Sequence, residues 1–182
     1  QGFEYWELDK EIKNLETEYG GYKFIKLDEI ARVKQTREEF KEIANSIYIP
    51  AIGRTEVLKK MPTLSSKKKP QNFFQIECNS EIVKSRYLYI FFNSELGQKT
   101  LERELSKYSG STIRRLRLSD IKNLYIPLPN IGIQIEIIEN INKLRKIKEV
   151  FSKIEKSLSI KPISSSAQLA KLDQIYHSSI KL

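Results

Sequence analysis

Residues 87–134 read YLYIFFNSELGQKTLERELSKYSGSTIRRLRLSDIKNLYIPLPNIGIQ, and they carry most of the information about the fold. Apolar spacing predicts an aromatic-rich helix over residues 85–92 and a second helix over residues 96–108, with a break near Gly97. A basic turn follows, then the strand YIPLP, which its prolines end, and then an isoleucine-rich helix. This order predicts helices packed on a small sheet.

The remaining chain predicts shorter elements around this segment. Residues 3–19 form an acidic helix that two glycines end, and a polar, charged stretch (KQTREEFKEIANS) precedes the strand SIYIP. TEVLKKM and FFQIEC are two further expected strands, and LSDIKNL predicts one helical turn capped by Ser119. The predicted fold class is therefore α/β in the α+β sense, with a small irregular mixed sheet, packed helices and a long C-terminal coiled-coil-type helix.

The long helix, predicted over residues 131–158, has the apolar spacing of a coiled coil. From Ile137 to Leu158 its apolar residues advance by a mean of 3.5 positions, which is the coiled-coil period. Such a helix is about 40 Å long, so we expect it to project from a compact domain and to pair with another helix. The residues expected at the helix–helix contact, called the seam below, are Ile137, Ile141, Leu144, Ile147, Phe151 and Ile154.

Bulk composition excludes several classes of protein. The 182 residues are 40% hydrophobic and 30% charged, which fits a folded domain. No apolar run approaches the length that spans a bilayer, so we expect no membrane association. The single cysteine, Cys78, excludes an internal disulfide and fits the cytoplasm. The chain begins with Gln1 rather than Met, as expected of an excerpt from a longer protein.

The net charge of +9 is concentrated in the middle of the chain. Residues 1–50 carry a net charge of −3, residues 51–130 carry +8, and residues 131–182 carry +4. Concentrated positive charge on a folded domain attracts phosphate backbones at long range. The alternative interpretation, a solvated lysine-rich face, is equally compatible with charge alone.

Two segments supply residue types that contact nucleic acid. SSKKKPQN offers lysines for phosphates and amides that pair with adenine, and SGSTIRRLR offers short hydroxyl donors and arginines for phosphates or guanine. In a strand Arg114 would face away from Arg115, so we do not expect all three arginines to reach one duplex. The candidate DNA contacts are Arg54, Lys67, Lys68, Lys69, Gln71, Asn72, Ser109, Ser111, Thr112, Arg114, Arg115 and Arg117.

Motifs for catalysis are missing from the sequence. There is no Asp/Asn-Pro-Pro-aromatic motif to hold a target amine, no glycine-rich turn for S-adenosylmethionine and no cluster of metal ligands. Glu77, Glu81 and Lys84 are the nearest set to a metal-dependent nuclease site, and they are a weak candidate. The aromatic group Tyr87, Tyr89, Phe91 and Phe92 is expected in the core rather than on a stacking surface. We predict no catalytic residues and no metal site in this segment.

The order and spacing of these pieces resemble the target-recognition half of the specificity subunit of type I restriction–modification systems. They are at least as similar to the C-terminal recognition segment of fused N-6 adenine DNA methylases. The resemblance extends more weakly over residues 26–158. Its matching residues are Tyr87-Leu88, Phe92-Asn93-Ser94-Glu95-Leu96-Gly97, Gly110-Ser111-Thr112-Ile113, Ile126-Pro127-Leu128-Pro129 and Gln134.

This resemblance implies recognition of double-stranded DNA on behalf of a separate methyltransferase domain or subunit, which would bind S-adenosylmethionine and modify adenine. It implies a linker helix over residues 1–22, a target-recognition domain over 23–130, the long helix over 131–160, and a tail with a short helix over 161–182. The long helix would pair with a similar helix from a second recognition module, a second copy of the chain or the methyltransferase part. The alternative is a structural or assembly module that acts through its long helix.

Overall fold

The computed structural model describes residues 2–18, 22–52, 56–63, 69–108 and 114–160. The chain divides into two compact units, residues 1–135 and residues 136–182. The first unit contains every strand of the described chain and five helices, together with the start of a sixth helix. The second unit contains the rest of that sixth helix.

A three-stranded antiparallel sheet lies at the centre of the first unit. Its strands are β2 (Ala31–Lys34), β3 (Ser46–Pro50) and β4 (Phe73–Cys78), in the order β2-β4-β3. All five residues of β3 are buried, with Ile47 and Ile49 on one face and Ser46, Tyr48 and Pro50 on the other. Phe74 and Ile76 of β4 are fully buried, so the middle strand forms much of the core.

The second sheet has two strands that are far apart in the sequence. Strand β1 (Phe24–Lys26) pairs antiparallel with β5 (Tyr125–Pro127), and a hydrogen bond from the amide of Leu128 to the carbonyl of Lys23 (2.9 Å) extends the pair. A four-residue helix, α2 (Leu27–Ile30), leads directly from β1 into β2. The chain therefore joins the two sheets without a loop.

Four further helices complete the first unit. They are α1 (Gly2–Glu18), α3 (Ser85–Phe92), α4 (Glu95–Ser106) and α5 (Leu118–Lys122). Helix α3 packs on β3 and places Leu88 and Phe92 in the core with no exposed surface, while α1 packs along α4. Between α1 and α4, Arg103 pairs with Asp9 at 3.3 Å and Lys99 pairs with Glu11 at 3.1 Å. These partly exposed ion pairs contribute little to stability.

Helix α6 (Ile131–Ile160) has 30 residues and begins inside the first unit. Its side chains from residue 142 to residue 149 are all exposed. No helix in the described ranges has the length and apolarity needed to cross a bilayer.

The predicted fold class is confirmed, with corrections in its details. The sheet predicted as mixed is two antiparallel sheets. TEVLKKM forms only an isolated bridge from Leu58 to Tyr48, because the backbone of Val57 bonds to the Asn93 side chain instead of to a strand. Ser119 is not the cap of α5: the N-cap is Arg117, whose amide donates to the Asp120 carboxylate at 2.8 Å. The predicted C-terminal tail, 161–182, lies outside the described residues.

Candidate nucleic-acid interface

Four separate segments meet around one cleft of about 680 Å³ in the first unit. They are the segment after β2, the 3-10 helix before β4 (Pro70–Asn72), the residues that directly follow α4, and the basic segment that leads into α5. Because the segments are far apart in sequence, the cleft is a product of the tertiary fold. The lining residues are Gln35, Thr36, Arg37, Gln71, Tyr108, Arg115, Leu116, Arg117 and Leu118.

The backbone carbonyl of Gln71 ties three of these segments together. It accepts a hydrogen bond from Nε2 of Gln35 at 2.8 Å and another from Nη2 of Arg115. A carbonyl oxygen has two lone pairs, so both donors are accommodated. Two long side chains are thereby held against one point at the cleft wall, which restricts their rotamers before any ligand arrives.

Arg117 is held by an aromatic ring. Its guanidinium lies 4.7 Å from the centroid of the Tyr108 ring, a cation–π contact. The Tyr108 hydroxyl donates to both carboxylate oxygens of Asp120, at 3.1 and 3.0 Å. Burial and this hydrogen bond raise the pKa of the Tyr108 hydroxyl, so it remains a donor at neutral pH. The Tyr108 ring therefore holds the Arg117 guanidinium, and the Tyr108 hydroxyl is hydrogen-bonded to the neighbouring Asp120 carboxylate.

Backbone hydrogen bonds fix the frame behind the cleft. The amide of Leu116 donates to the carbonyl of Ala51, and the amide of Ala51 donates to the carbonyl of Asn72, both at 2.8 Å. Leu116 is 2% exposed, and its burial anchors the basic segment. Arg115 and Arg117 line the cleft and Arg114 does not, as side-chain alternation along an extended chain requires. The anchor is apolar and the cleft face is basic.

The chemistry of the cleft suits an anionic ligand with polar edges. Three guanidinium groups and two carboxamides line it, and no acidic residue does among the described part of the chain. Guanidinium groups bind phosphate in bidentate fashion, and carboxamides pair with base edges. In the described ranges no three metal-ligating side chains come together. Of the weak nuclease candidate, Glu77 is paired with Lys34, and Lys84 donates to the carbonyl of Ser80.

The candidate DNA contacts divide into three groups. Gln71, Arg115 and Arg117 lie together in the cleft; Lys69 and Arg114 are exposed outside it, and Asn72 is half-buried. Sequence reasoning did not predict that the cleft is also lined by Gln35, Thr36, Arg37 and Tyr108. Nothing in KQTREEFK or in the residues after α4 indicates that they lie near residues 115–117. Arg54, Lys67, Lys68, Ser109, Ser111 and Thr112 lie outside the described residues.

Helix α6 presents large apolar side chains to solvent. Leu144 is 60% exposed, Phe151 is 53% exposed and Ile147 is 39% exposed. Ile137, Ile141 and Ile154 are half-buried. A run of exposed apolar residues at coiled-coil spacing is typical of a helix that lacks its partner.

Comparison with known proteins identifies the family. The family model of the type I restriction modification DNA specificity domain matches residues 10–159. No curated protein matches the chain in sequence. Among solved structures the chain is similar to the S subunit of a type I restriction–modification system from M. genitalium, with a TM-score of 0.52 and 18% identity. The alignment covers 76% of this chain and 43% of that subunit, so the chain spans less than half of its length.

The fold of this chain is of the S-subunit type. The family match covers most of the chain, and the chain belongs to the family of type I restriction modification DNA specificity domains. The predicted resemblance is therefore confirmed for the type I specificity family. The matched family is one of DNA specificity, which agrees with a role in recognising a DNA target.

Proposed function

We propose that this chain reads a specific sequence of double-stranded DNA and directs a separate methyltransferase domain or subunit to it. The observation that carries the proposal is the cleft in which Gln71, Arg115 and Arg117 converge, within a domain of the DNA specificity family. The cleft offers phosphate contacts and base contacts within one surface, and recognition needs both. Adenine would be the modified base, and S-adenosylmethionine would bind to the methyltransferase partner.

The long helix is proposed as the assembly element. Its exposed residues Leu144, Ile147 and Phe151 require a cover, and a second helix with the same spacing supplies one. A second recognition module or a second copy of the chain would then place two clefts on one DNA. Assembly through α6 is compatible with DNA reading by the cleft. In the alternative function, a structural or assembly module, α6 would be the only functional surface.

The salt dependence of binding tests the proposed DNA contact. We expect the 182-residue chain to bind labelled duplex with an affinity that falls between about 50 and 200 mM salt, with a log–log slope near −0.9 per phosphate contacted. Arg115→Gln with Arg117→Gln should reduce the slope by about 0.9 for each phosphate that the variant no longer binds. Replacing Lys67, Lys68 and Lys69 by alanine should also flatten it. Fluorescence anisotropy measures these changes.

A control with the same loss of charge separates the cleft from general attraction. Arg32 and Lys13 are exposed and do not line the cleft, so Arg32→Gln with Lys13→Gln should leave the slope nearly unchanged. Equal effects of the two double variants would show that the cleft is incidental. An affinity independent of salt, or no binding at low salt, would contradict DNA recognition altogether.

Association with the catalytic partner has its own measurement. The chain should co-purify with the methyltransferase component of the same system, and adenine methylation at the target should require both. Methylation at that target by the methyltransferase component alone would contradict the directing role. S-adenosylmethionine should bind to the partner and not to this chain in equilibrium dialysis.

A further inference from the structure

The segment after β2 contributes two side chains to the cleft that have base-reading and phosphate-binding chemistry. Gln35 and Arg37 line the cleft together with Arg115 and Arg117. The segment is anchored farther along the chain, where Phe40 is 6% exposed and stacks edge-on against Tyr48 with ring centroids 5.5 Å apart. It is also held where Nε2 of Gln75 donates to the carbonyl of Lys41 at 2.9 Å.

The orientation of the Gln35 carboxamide follows from its hydrogen bond. The Gln71 carbonyl is an acceptor, so the nitrogen of the Gln35 side chain faces it, at 2.8 Å. A carboxamide nitrogen carries two N–H bonds. When the N–H that points away from Oε1 donates to Gln71, the other N–H and Oε1 remain on one shared edge. That edge has the donor–acceptor spacing that adenine offers in the major groove through N7 and its N6 amino group.

We propose that Gln35 is a specificity-determining side chain that reads adenine, and that Arg37 contacts a phosphate of the same duplex. This inference rests on the proposed function, because it assigns individual DNA contacts within the same cleft. The Gln71 carbonyl orients the Gln35 amide before binding, which lowers the entropy lost when the base contact forms. Arg37 belongs to the same short segment, so a phosphate contact there fixes the register of the amide on the bases.

Selection from a pool of duplexes with a randomised centre tests both assignments and does not require a known target sequence. The full 182-residue chain is used, and the bound duplexes are sequenced. Wild type should enrich a motif with an adenine at one position that Gln35→Met no longer distinguishes, with a loss of preference of about tenfold or more there. Arg37→Gln should enrich the same motif and reduce the salt slope by about 0.9.

Two matched variants serve as controls. Gln98 donates from Nε2 to a backbone carbonyl, that of Phe92 at 2.6 Å, and does not line the cleft, so Gln98→Met should leave the motif intact. Arg32 is exposed on β2 outside the cleft, so Arg32→Gln should leave the salt slope intact. Thermal unfolding of each variant by circular dichroism verifies that the fold persists.

The outcomes distinguish this inference from the proposed function. A Gln35→Met variant that binds every duplex more weakly, with an unchanged motif, shows that Gln35 only clasps the Gln71 segment and overturns its reading role. An unchanged slope for Arg37→Gln overturns the phosphate contact. No enriched motif with the wild-type chain contradicts the proposed function itself, and this inference with it.

Discussion

Several residues of the family resemblance hold the fold together and do not face the cleft. The Tyr87 hydroxyl donates to the carbonyl of Pro127 at 2.6 Å, which links α3 to β5. Asn93 bonds both backbone groups of Val57, at 3.1 and 3.2 Å, as a neighbouring strand would. Ser94 accepts from the amide of Gly97 and caps α4. These residues of the resemblance therefore hold the scaffold together, and none of the three lines the cleft.

Gly97 allows a close approach between α3 and α4. A Cβ at this position would overlap the carbonyl oxygen of Phe91 and lie 2.6 Å from Cα of Phe92. Both neighbours are backbone and cannot rotate away, so we expect Gly97→Ala to lower the free energy of unfolding by about 2 kcal/mol or more. Chemical denaturation measures the loss.

Gly132 provides the control for this prediction. A Cβ there would meet only Oδ1 of Asn130, at 3.3 Å, which belongs to a side chain. Gly132→Ala should therefore be neutral or stabilising by up to about 1 kcal/mol, as expected for alanine in a helix. Similar losses for both variants would show that intrinsic propensity, and not the contact between α3 and α4, decides the cost.

Tyr87 gives a prediction that depends on pH. Burial raises the pKa of its hydroxyl above the usual value near 10, and the Pro127 carbonyl keeps the proton in the folded state. At pH 7 Tyr87→Phe should cost about 1–3 kcal/mol, because the buried carbonyl loses its donor. Above pH 10 the unfolded phenol ionises while the folded one does not, so wild-type stability falls with pH and the variant lacks this contribution.

The advantage of wild type over Tyr87→Phe should therefore shrink by about 1 kcal/mol between pH 10 and pH 11. Urea unfolding of both proteins across this range measures it. Tyr125 is 48% exposed, so Tyr125→Phe should change stability at pH 7 by less than about 0.5 kcal/mol. An advantage that stays constant as the pH rises would exclude a retained proton on Tyr87.

At the scale of elements, local pattern predicted the helices and the buried strands well. Helices α3, α4 and α6 and strands β3 and β4 lie close to their expected residues, because each has a periodic or continuous apolar signal. Three members of the aromatic group of α3 are in the core as predicted, namely Tyr87, Phe91 and Phe92, whereas Tyr89 is only half-buried. The apolar pattern of each of these elements lies within about ten neighbouring residues, so a single sequence is enough to recognise it.

Elements that depend on distant partners were less predictable. Strand β1 pairs with β5 about a hundred residues later. The segment YIPLP predicted β5, but no pattern predicted β1 or its pairing with β5. The cleft is a further case, since Gln35 and Arg115 meet only through the carbonyl of Gln71. The arginines were candidates because they lie in a basic turn. Gln35 lies in a polar stretch without a pattern of its own, so only the tertiary fold shows that it lines the cleft.

Gln134 connects the start of α6 to α3. It has no exposed surface, accepts from the amide of Lys84 at 2.9 Å, and donates to the carbonyls of Ile82 and Pro129 at 3.0 and 2.9 Å. Gln134→Leu removes all three hydrogen bonds, so we expect a loss of about 2–4 kcal/mol in the free energy of unfolding. Chemical denaturation followed by far-ultraviolet circular dichroism measures this loss.

Glu139→Leu offers a matched comparison on the same helix. Glu139 is exposed, so this second polar-to-leucine change should alter stability by less than about 0.5 kcal/mol. If Gln134→Leu were equally mild, the hydrogen bonds of Gln134 would contribute little beyond those available from water. The start of α6 would then be held by apolar packing alone.

At the scale of the whole molecule, the basic cleft and the exposed apolar residues of α6 belong to different units. The net charge of +8 lies in residues 51–130, within the first unit, and Leu144, Ile147 and Phe151 lie in the second. Charge acts at long range and depends on salt, while apolar burial is nearly independent of salt. DNA binding and assembly should therefore respond separately to mutation and to ionic strength.

Association through α6 is the prediction that tests this separation. We expect the wild-type chain to self-associate with increasing concentration in sizing chromatography with light scattering. Ile141→Asp with Leu144→Asp and Phe151→Asp should give a monomer, because pairing would bury unpaired carboxylates at a cost of several kcal/mol. The thermal unfolding transition of the first unit should persist in this seam variant, since Leu144 and Phe151 are more than half exposed.

A second triple variant matches the first in net charge. Lys143, Lys146 and Lys153 each lie two positions from a mutated seam residue, about 200° around the helix, and all three are exposed. Their replacement by glutamine changes the net charge by the same −3 but leaves the seam apolar, so association should persist. A monomeric wild type at high concentration would exclude self-pairing and place the partner helix in another polypeptide. Loss of the first unit's unfolding transition in the seam variant would instead make the seam part of the core.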